Sequence, residues 1–184
     1  PQFARALDLM ENGSEHLFIT GRAGTGKSTL LEYFRERTRK SVAVLAPTGV
    51  AAVNVRGQTI HSFFNFRPHV TPAAVRRISP KPTQRKLYKR LGALLIDEAS
   101  MLRADLLDCV DAFLRLHGRM KGAPFGGTQM IFIGDLYQLP PVVAGQEERR
   151  FFSAVYETPY FFSARAFSAA DVRVVELEKV YRQR

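Results

Sequence analysis

The stretch Leu17–Ser28, LFITGRAGTGKS, joins a short apolar run to a glycine-rich loop and the start of a helical pattern. The loop Gly21–Ser28 reads G-x-x-x-x-G-K-[ST] in full, and this pattern between a strand and a helix is typical of a phosphate-binding loop. Its glycines allow backbone angles that a Cβ would block, so that loop N–H groups and the helix dipole face a phosphate. Lys27 is then a cation beside the β- and γ-phosphates, and Ser28 a hydroxyl ligand for Mg²⁺. The alternative is a chance glycine turn before a helix.

Four more apolar runs resemble the first one and lie at Val42–Ala46, Leu94–Asp97, Met130–Gly134 and Val172–Leu177. Runs of this length without alternation favour parallel strands that are covered on both faces. Helical patterns separate them, including Lys27–Arg37 and an apolar stripe from Leu106 to about His117. The sequence therefore predicts an α/β fold with a mostly parallel central sheet and helices on both faces, which binds its ligands at the carboxyl ends of the strands.

The composition excludes several classes of protein. A chain of 184 residues with 46% hydrophobic residues and 14 Phe can bury a core without extra staples. Cys109 is the one cysteine, which excludes an internal disulfide and a cysteine-rich zinc site and fits a reducing compartment. No apolar run approaches the roughly 18 residues of a membrane span, so no membrane partner is expected. Because residue 1 is Pro, we expect a piece of a longer protein.

The net charge of +10 comes from one third of the chain. No Asp or Glu occurs between Arg37 and Ile96, and this stretch contains twelve basic residues. Polyanions are attracted to such a region by counterion release, and nucleic acid is the default polyanion. A solvated basic face that only aids solubility is the alternative.

Two motifs follow strands and complete a candidate catalytic site. LLIDEAS (Leu94–Ser100) ends with Asp97, which is placed to hold Mg²⁺, and Glu98, which could orient and deprotonate an attacking water. GDLYQLPP (Gly134–Pro141) places Gln138 after a strand that we expect between the phosphate-loop strand and the Asp-Glu strand. A neutral amide there can contact both the γ-phosphate and the water. The alternatives are solvent-facing acids and an ordinary loop amide.

Seven strings in order resemble the Pif-type (petite integration frequency) DNA helicases, relatives of RecD in superfamily 1. They are GRAGTGKS, APTGVAA (Ala46–Ala52), GQTIHSFF (Gly57–Phe64), LLIDEASM (Leu94–Met101), PFGGTQ (Pro124–Gln129), GDLYQLPPV (Gly134–Val142) and VYRQ (Val180–Gln183). The resemblance covers essentially the whole chain. It implies a RecA-like P-loop NTPase lobe, hydrolysis of ATP with Mg²⁺, 5′-to-3′ travel on single-stranded DNA, work at DNA forks, and roles in DNA replication, repair and recombination.

The resemblance also implies residue roles. The residues assigned to nucleotide binding are Gln2, Gly21, Ala23, Gly24, Thr25, Gly26, Lys27, Ser28 and Thr29. The catalytic residues are Lys27, Glu98, Gln138 and Arg182, and the metal ligands are Ser28 and Asp97. Gln2 would read adenine, with a helix-surface glutamine as the alternative, and Arg182 would reach the γ-phosphate.

The DNA-binding residues that the resemblance implies are Thr48, Gly49, His61, Ser62 and Phe63. For Thr48 a helix N-cap is a compatible second role, and for Phe63 a core position is an equal alternative. We also expect the proline-broken, basic segment 71–91 to form the rim of the same DNA groove.

One departure from the family concerns the second lobe. Family helicases have two RecA-like lobes, and residues 1–184 account for the first, so the second is expected to be absent from this chain. We therefore expect weak or no unwinding by the chain alone. The compartment would be cytoplasmic and nucleoid-associated in a bacterium, and nuclear or mitochondrial in a eukaryote.

Three other classes of function remain open beside a helicase. A ring ATPase of the same fold is disfavoured by the TIHSFF and GDxxQLPP strings and by the basic stretch. A GTPase or nucleotide kinase is disfavoured because no Asn is followed by Lys, so the guanine-specific Asn-Lys-x-Asp is absent. The third is a non-enzymatic DNA-binding module.

Overall fold

Six parallel strands form the centre of the molecule in the computed structural model, which describes residues 1–179. The strands are β1 (His16–Thr20), β2 (Val42–Ala46), β3 (Gln58–Thr59), β4 (Ala93–Ile96), β5 (Gln129–Gly134) and β6 (Val172–Glu176). Their order across the sheet is β3-β2-β4-β5-β1-β6, and each pair of neighbours is parallel. The α/β fold and the position of β5 between β4 and the phosphate-loop strand β1 are confirmed.

Helices cover both faces of this sheet. They are α1 (Gln2–Asn12), α2 (Lys27–Arg37), α3 (Gly49–Asn54), α4 (Ile60–Phe64), α5 (Pro72–Val75), α6 (Pro82–Arg90), α7 (Ala104–His117), α8 (Gly145–Val155) and α9 (Arg165–Ala169). Short 3₁₀ turns occur at Ala99–Met101, Pro124–Gly127 and Phe161–Ser163. The ends of α2 and α7 lie where the apolar patterns predict them.

Alternate side chains of each strand enter different cores, because successive strand residues point to opposite faces. Ile131 and Ile133 of β5 pack on the side of α1 and α2, whereas Met130 and Phe132 pack on the side of α7. All six residues of β5 are buried, as expected for a strand covered on both faces. Removal of a large side chain here, as in Phe132→Ala, costs about 3–5 kcal/mol in a typical core.

An aromatic cluster fixes the segment between β3 and β4 against α7. The rings of Phe63, Phe64, Tyr88 and Phe113 lie 4.9 to 5.8 Å apart between centroids. The hydroxyl of Tyr88 donates to the carbonyl oxygen of Phe63 at 2.7 Å, which ties α6 to α4. The prolines at the starts of α5 and α6 divide the rest of the segment into short helices, as predicted.

The strands end together at one edge of the sheet. Thr20 of β1 pairs with Gly134 of β5, and Ile96 of β4 pairs with Phe132, so the loops after β1, β4 and β5 emerge side by side. In a parallel sheet this carboxyl edge is where ligands bind. The three motif-bearing loops are therefore brought to the same place by the topology.

Candidate functional site: a phosphate loop and paired carboxylates

A cavity of about 920 Å³ opens at the carboxyl edge between β1, β4 and β5. Its lining includes many of the side chains that the sequence singled out: Ala23, Gly24, Gly26, Lys27, Ser28, Thr29, Asp97, Glu98 and Gln138. Gly21 and Thr25 form the loop beneath them and are buried. The fold thus gathers five catalytic or metal-binding candidates, from three separate motifs, into one cavity.

The phosphate loop adopts the backbone that its glycines predict. Gly26 has φ 92° at the N-cap of α2, a left-handed conformation that a glycine adopts without strain. A Cβ on Gly21 would lie 2.5 Å from the carbonyl oxygen of Leu177, so the chain approaches too closely for a side chain. The ammonium of Lys27 donates to the carbonyl oxygens of Gly21 and, at 3.0 Å, of Arg22. The cation is therefore held inside the loop, where a phosphate would meet it.

The two carboxylates after β4 are half-buried and face this cation. Burial raises the pKa of Asp97, and the charge of Lys27 partly opposes that shift. Burial also raises the pKa of Glu98, and the nearby charge of Asp97 raises it further. Glu98 has φ 51°, an uncommon left-handed backbone for a glutamate that the start of a 3₁₀ turn imposes. Such shifted acids in a cavity are the usual setting for a general base.

Asp135 is a site residue that sequence reasoning missed. It is 6% exposed, lines the cavity, and accepts a hydrogen bond from the N–H of Tyr137 at 3.0 Å. Its own carbonyl oxygen accepts from the N–H of Gln138 at 3.1 Å. This turn holds Gln138 at the cavity. The signal was present in the sequence, because Asp135 directly follows the apolar run of β5.

Two aromatic side chains on the helices also line the cavity and were not expected. Phe3 of α1 and Tyr33 of α2 meet edge to face, with ring centroids 6.2 Å apart. Gln2 is not among the lining residues, and its side-chain oxygen accepts from the N–H of Glu178 at 3.1 Å. An adenine-reading role for Gln2 stays a prediction, as does the role of Arg182, which lies outside the described residues.

The DNA candidates Thr48, Gly49, His61 and Ser62 follow β2 and β3, whose last residues Ala46 and Thr59 pair. Thr48 caps α3 by accepting from the N–H of Ala51 at 3.3 Å, so its N-cap role is confirmed. Gly49 and Ser62 are exposed. His61 is half-buried, and burial lowers its pKa.

Two DNA expectations need correction. Phe63 is 7% exposed and packs on Phe64 and Tyr88, so its ring belongs to the core and cannot stack on a base as placed. The end of segment 71–91 does not lie at the rim of a groove with Thr48. Arg90 ends α6 just before β4, and β4 starts level with the start of β2, at the opposite edge of the sheet.

The two candidate metal ligands, Ser28 and Asp97, could hold a metal ion only together with further ligands. Ser28 and Asp97 line the same cavity. Within residues 1–179 there is no group of three or more His, Cys, Asp or Glu side chains that could hold a metal ion. Hard cations such as Mg²⁺ take few protein ligands and keep waters and phosphate oxygens, so a hydroxyl and a carboxylate suit that ion. Across the same residues, no helix combines the length and apolar character needed to cross a membrane.

The PIF1-like helicase family model matches residues 4–184 of the chain. A curated relative, the ATP-dependent DNA helicase PIF1 of Saccharomyces cerevisiae (strain YJM789), is 38% identical over 97% of this chain and 20% of its own length. A Bacteroides Pif1 helicase solved with ADP-AlF3 and single-stranded DNA superposes with a TM-score of 0.86 at 38% identity, over 99% of this chain and 42% of that one. A structure of two coordinating Pif1 helicases at forked double-stranded DNA superposes with a TM-score of 0.85 at 36% identity.

The chain is much shorter than the proteins it matches. It covers 24% of the PIF1 helicase of Emericella nidulans, to which it is 37% identical over 96% of this chain, and 44% of the chain in the forked-DNA structure. The matches therefore concern one part of those proteins.

Proposed function

This chain belongs to the PIF1-like helicase family, and from that premise we propose that it is the ATP-binding, DNA-contacting lobe of a 5′-to-3′ DNA helicase. The observation that carries the proposal is the convergence of Lys27, Asp97, Glu98 and Gln138 on one cavity at the carboxyl edge of the sheet. These four residues come from three motifs that are far apart in the sequence and are brought together only by the fold.

The cavity suits a nucleoside triphosphate with Mg²⁺. The loop from Gly21 to Ser28 would surround the β-phosphate with N–H groups, and Lys27 would leave the loop carbonyls for the phosphate oxygens. Ser28 and Asp97 would hold the ion, which neutralises charge on the phosphates when bound. Phe3 and Tyr33 form an aromatic wall that suits the base.

The paired acids support hydrolysis rather than simple binding. Because burial and Asp97 raise its pKa, Glu98 is a stronger proton acceptor than an ordinary glutamate and suits the attacking water. Gln138 lies at the same cavity on a turn fixed by Asp135, where an amide can contact the water and the γ-phosphate. The strained backbone of Glu98 is consistent with a residue whose side-chain orientation serves function at some cost in folding stability.

DNA would pass along the carboxyl edge beside β2 and β3. Thr48 and Gly49 open α3, where a hydroxyl and free N–H groups can bind phosphate oxygens. His61 and Ser62 lie on the adjoining α4. Single-stranded DNA and forks are the partners that fit this placement.

A second lobe of the same protein would complete the motor. Among the described residues that line the cavity, Lys27 is the only Lys or Arg, whereas phosphoryl transfer in related motors uses an additional arginine. Arg182 is proposed for one such contact, and the partner lobe for another. The comparisons support this proposal, because the chain covers 44% and 42% of the length of two solved Pif1 helicase chains.

ATP hydrolysis stimulated by single-stranded DNA tests this function. A longer helicase that carries this lobe should hydrolyse ATP faster with a single strand present and should unwind a fork, whereas the isolated 184-residue chain should not unwind. Glu98→Gln should slow hydrolysis by about 10²–10⁴-fold, the usual contribution of a general base, and the exposed Glu147→Gln serves as a matched control. ATP hydrolysis that single-stranded DNA does not stimulate would contradict the proposal, as would normal hydrolysis by Glu98→Gln. Robust unwinding by the isolated chain would show that no second lobe is required.

Thr48 offers a test of the DNA path. Thr48→Ala should weaken single-strand binding with little change in its salt dependence, because a hydroxyl and not a cation is lost. It also removes a helix cap, which typically costs about 0.5–2 kcal/mol of stability. Thr48→Ser keeps both cap and hydroxyl, so binding should be restored. Equal affinity in wild type and Thr48→Ala would show that the strand lies elsewhere.

A further inference from the structure

Basic side chains gather at the edge of the sheet opposite the cavity, where β2, β4 and β5 begin. The first residues of these strands are level with one another, since Val42 pairs with Ala93 and Ala93 with Gln129. The loops before them are joined by hydrogen bonds from Gly92 N to Ser41 O at 2.7 Å and from Gln129 N to Gly92 O at 3.1 Å. Residues just before each strand therefore share one surface.

Five exposed cations, which we call the amino-edge patch, precede these strands. They are Arg39, Lys89, Arg90, Arg119 and Lys121. Over residues 1–179, none of these side chains takes part in a hydrogen bond or an ion pair. Their charges are thus available to an outside partner.

The charges of the loop before β5 act on the other two loops. Burial lowers the pKa of Lys40, and the charge of Arg119 lowers it further. The amine of Lys40 donates to the side-chain oxygen of Gln129 at 2.8 Å, which joins the loop before β2 to the start of β5. Burial likewise lowers the pKa of His117, and the charges of Arg85 and Lys121 add to that effect. Arg85 of α6 and Lys121 therefore both lie near His117.

The acidic residues Glu11 and Glu15 at this edge are already engaged, Glu15 in an ion pair with Arg173 at 2.7 Å. Glu11 accepts from the hydroxyl of Thr38 at 2.6 Å and from the N–H of Arg39 at 3.1 Å. Its carboxylate offsets part of the charge near Arg39. The cations before β4 and β5 lie in loops with no Asp or Glu between residues 85 and 92 or between 118 and 129.

The chemistry of the patch fits phosphates rather than unpaired bases. Proteins that bind single strands combine cations with exposed aromatic rings, on which bases stack. The loop residues 39–41, 89–92 and 118–123 include no Phe or Tyr, and Tyr88 just before them is 1% exposed. The five residues of β2 separate this edge from Thr48 by about 16 Å.

We propose that the amino-edge patch binds the phosphate backbone of duplex DNA, separately from the single-strand path at the carboxyl edge. Duplex DNA presents one charge per about 1.7 Å of axis on a rigid surface, which suits cations set on three fixed loops. This inference rests on the proposed function as a DNA helicase lobe, and adds a second DNA surface to it.

Salt-dependent binding of the 184-residue chain to a blunt 24-base-pair duplex tests the proposal. The test variant is Arg90→Gln, Arg119→Gln and Lys121→Gln combined. The matched control removes three exposed cations elsewhere, as Arg5→Gln, Arg149→Gln and Arg150→Gln. Fluorescence anisotropy at three salt concentrations gives the slope of log affinity against log salt, for the duplex and for an oligo-dT single strand.

Loss of three phosphate contacts should flatten the duplex slope by up to about 2.7, at about 0.9 for each contact. The control should keep the wild-type duplex slope within about 0.9, less than one contact. Equal duplex slopes in test and control variants, or an equal loss of slope for oligo-dT, would overturn the proposal. Binding of a fluorescent ATP analogue by the same samples distinguishes failure of the duplex-binding proposal from failure of the proposed function. A wild-type chain that does not bind the analogue would contradict the proposed function and not the patch.

Discussion

The half-buried acids Asp97 and Glu98 destabilise the folded chain when they are ionised and no nucleotide is bound. Burial raises both pKa values, which means that the folded state binds their protons more readily than the unfolded chain does. Ionisation of these groups therefore costs stability as the pH rises through their raised pKa values. The nearby cation Lys27 opposes the shift but does not reverse it.

Neutral replacements should consequently stabilise the nucleotide-free protein. We expect Asp97→Asn to raise Tm at pH 8, because a half-buried ionised carboxylate is replaced by a neutral amide. The gain should shrink as the pH falls through the raised pKa of Asp97, where the wild-type carboxyl becomes protonated. Thermal unfolding at several pH values measures this, with exposed Glu147→Gln as the control. A lower Tm for Asp97→Asn at pH 8 would contradict the electrostatic account.

Sequence adjacency explains which site residues could be predicted. Lys27, Asp97 and Gln138 lie within motifs that follow strands, so the motifs and the strand pattern together place them. Phe3 and Tyr33 reach the cavity only because α1 packs on α2, and no local pattern marks that tertiary contact. Asp135 could have been predicted because it directly follows an apolar strand, but the functional role was assigned to Gln138 instead.

At the scale of elements, Arg103 connects the segment after the paired acids with the segment after Gln138. Its guanidinium donates to both oxygens of Asp105, to Glu148 of α8 at 3.1 Å, and to the carbonyl oxygen of Val142 at 3.4 Å. Glu148 also accepts from the N–H of Ala144 at 2.7 Å, which fixes the start of α8. These bonds of Arg103 and Glu148, which we call the clasp, therefore hold the segment that follows Gln138 against α7.

Arg103→Ala should loosen α8 and lower the stability by about 1.5–3 kcal/mol, the usual range for hydrogen bonds to charged groups. The N–H of Ala144 and the charge of Arg103 lower the pKa of Glu148. Stabilisation from Glu148 is thus full above its ordinary pKa of 4.5 and lost as the pH falls through the lowered value. Urea unfolding at pH 7 and pH 3 should show a smaller effect of Glu148→Gln at pH 3. Equal effects at both pH values would contradict the clasp, and Arg149→Ala controls for surface charge.

Element prediction succeeded where apolar runs were long and failed where they were short. β2 and β5 are recognisable because most or all of their residues are apolar. β3 has two residues, exposed and half-buried, and exists only through its pairing with Leu45 and Ala46. In PFGGTQ, Phe125, Gly126 and Gly127 all have positive φ, and a Cβ on Gly126 would clash with the carbonyl of Leu114. That close approach to α7 is invisible in the sequence.

Across the whole molecule, the parallel sheet separates two kinds of chemistry. Its carboxyl edge holds the phosphate loop, the paired acids and the candidate single-strand contacts. Its amino edge holds exposed cations. The sequence predicted the basic third of the chain as one DNA surface, but strand direction divides it between two edges. This division follows from α6 returning the chain to the start of β4, which composition alone cannot reveal.

Binding of a fluorescent ATP analogue with Mg²⁺ to the purified chain tests the central claim, that the carboxyl-edge cavity is a nucleotide site. We compare wild type, Lys27→Ala and the exposed control Lys86→Ala. Loss of the Lys27 ammonium removes charge-assisted hydrogen bonds of about 1.5–3 kcal/mol, so the affinity should fall roughly 10- to 150-fold, while Lys86→Ala binds like wild type. Equal affinities in all three proteins, or no binding by folded wild type, would contradict the account.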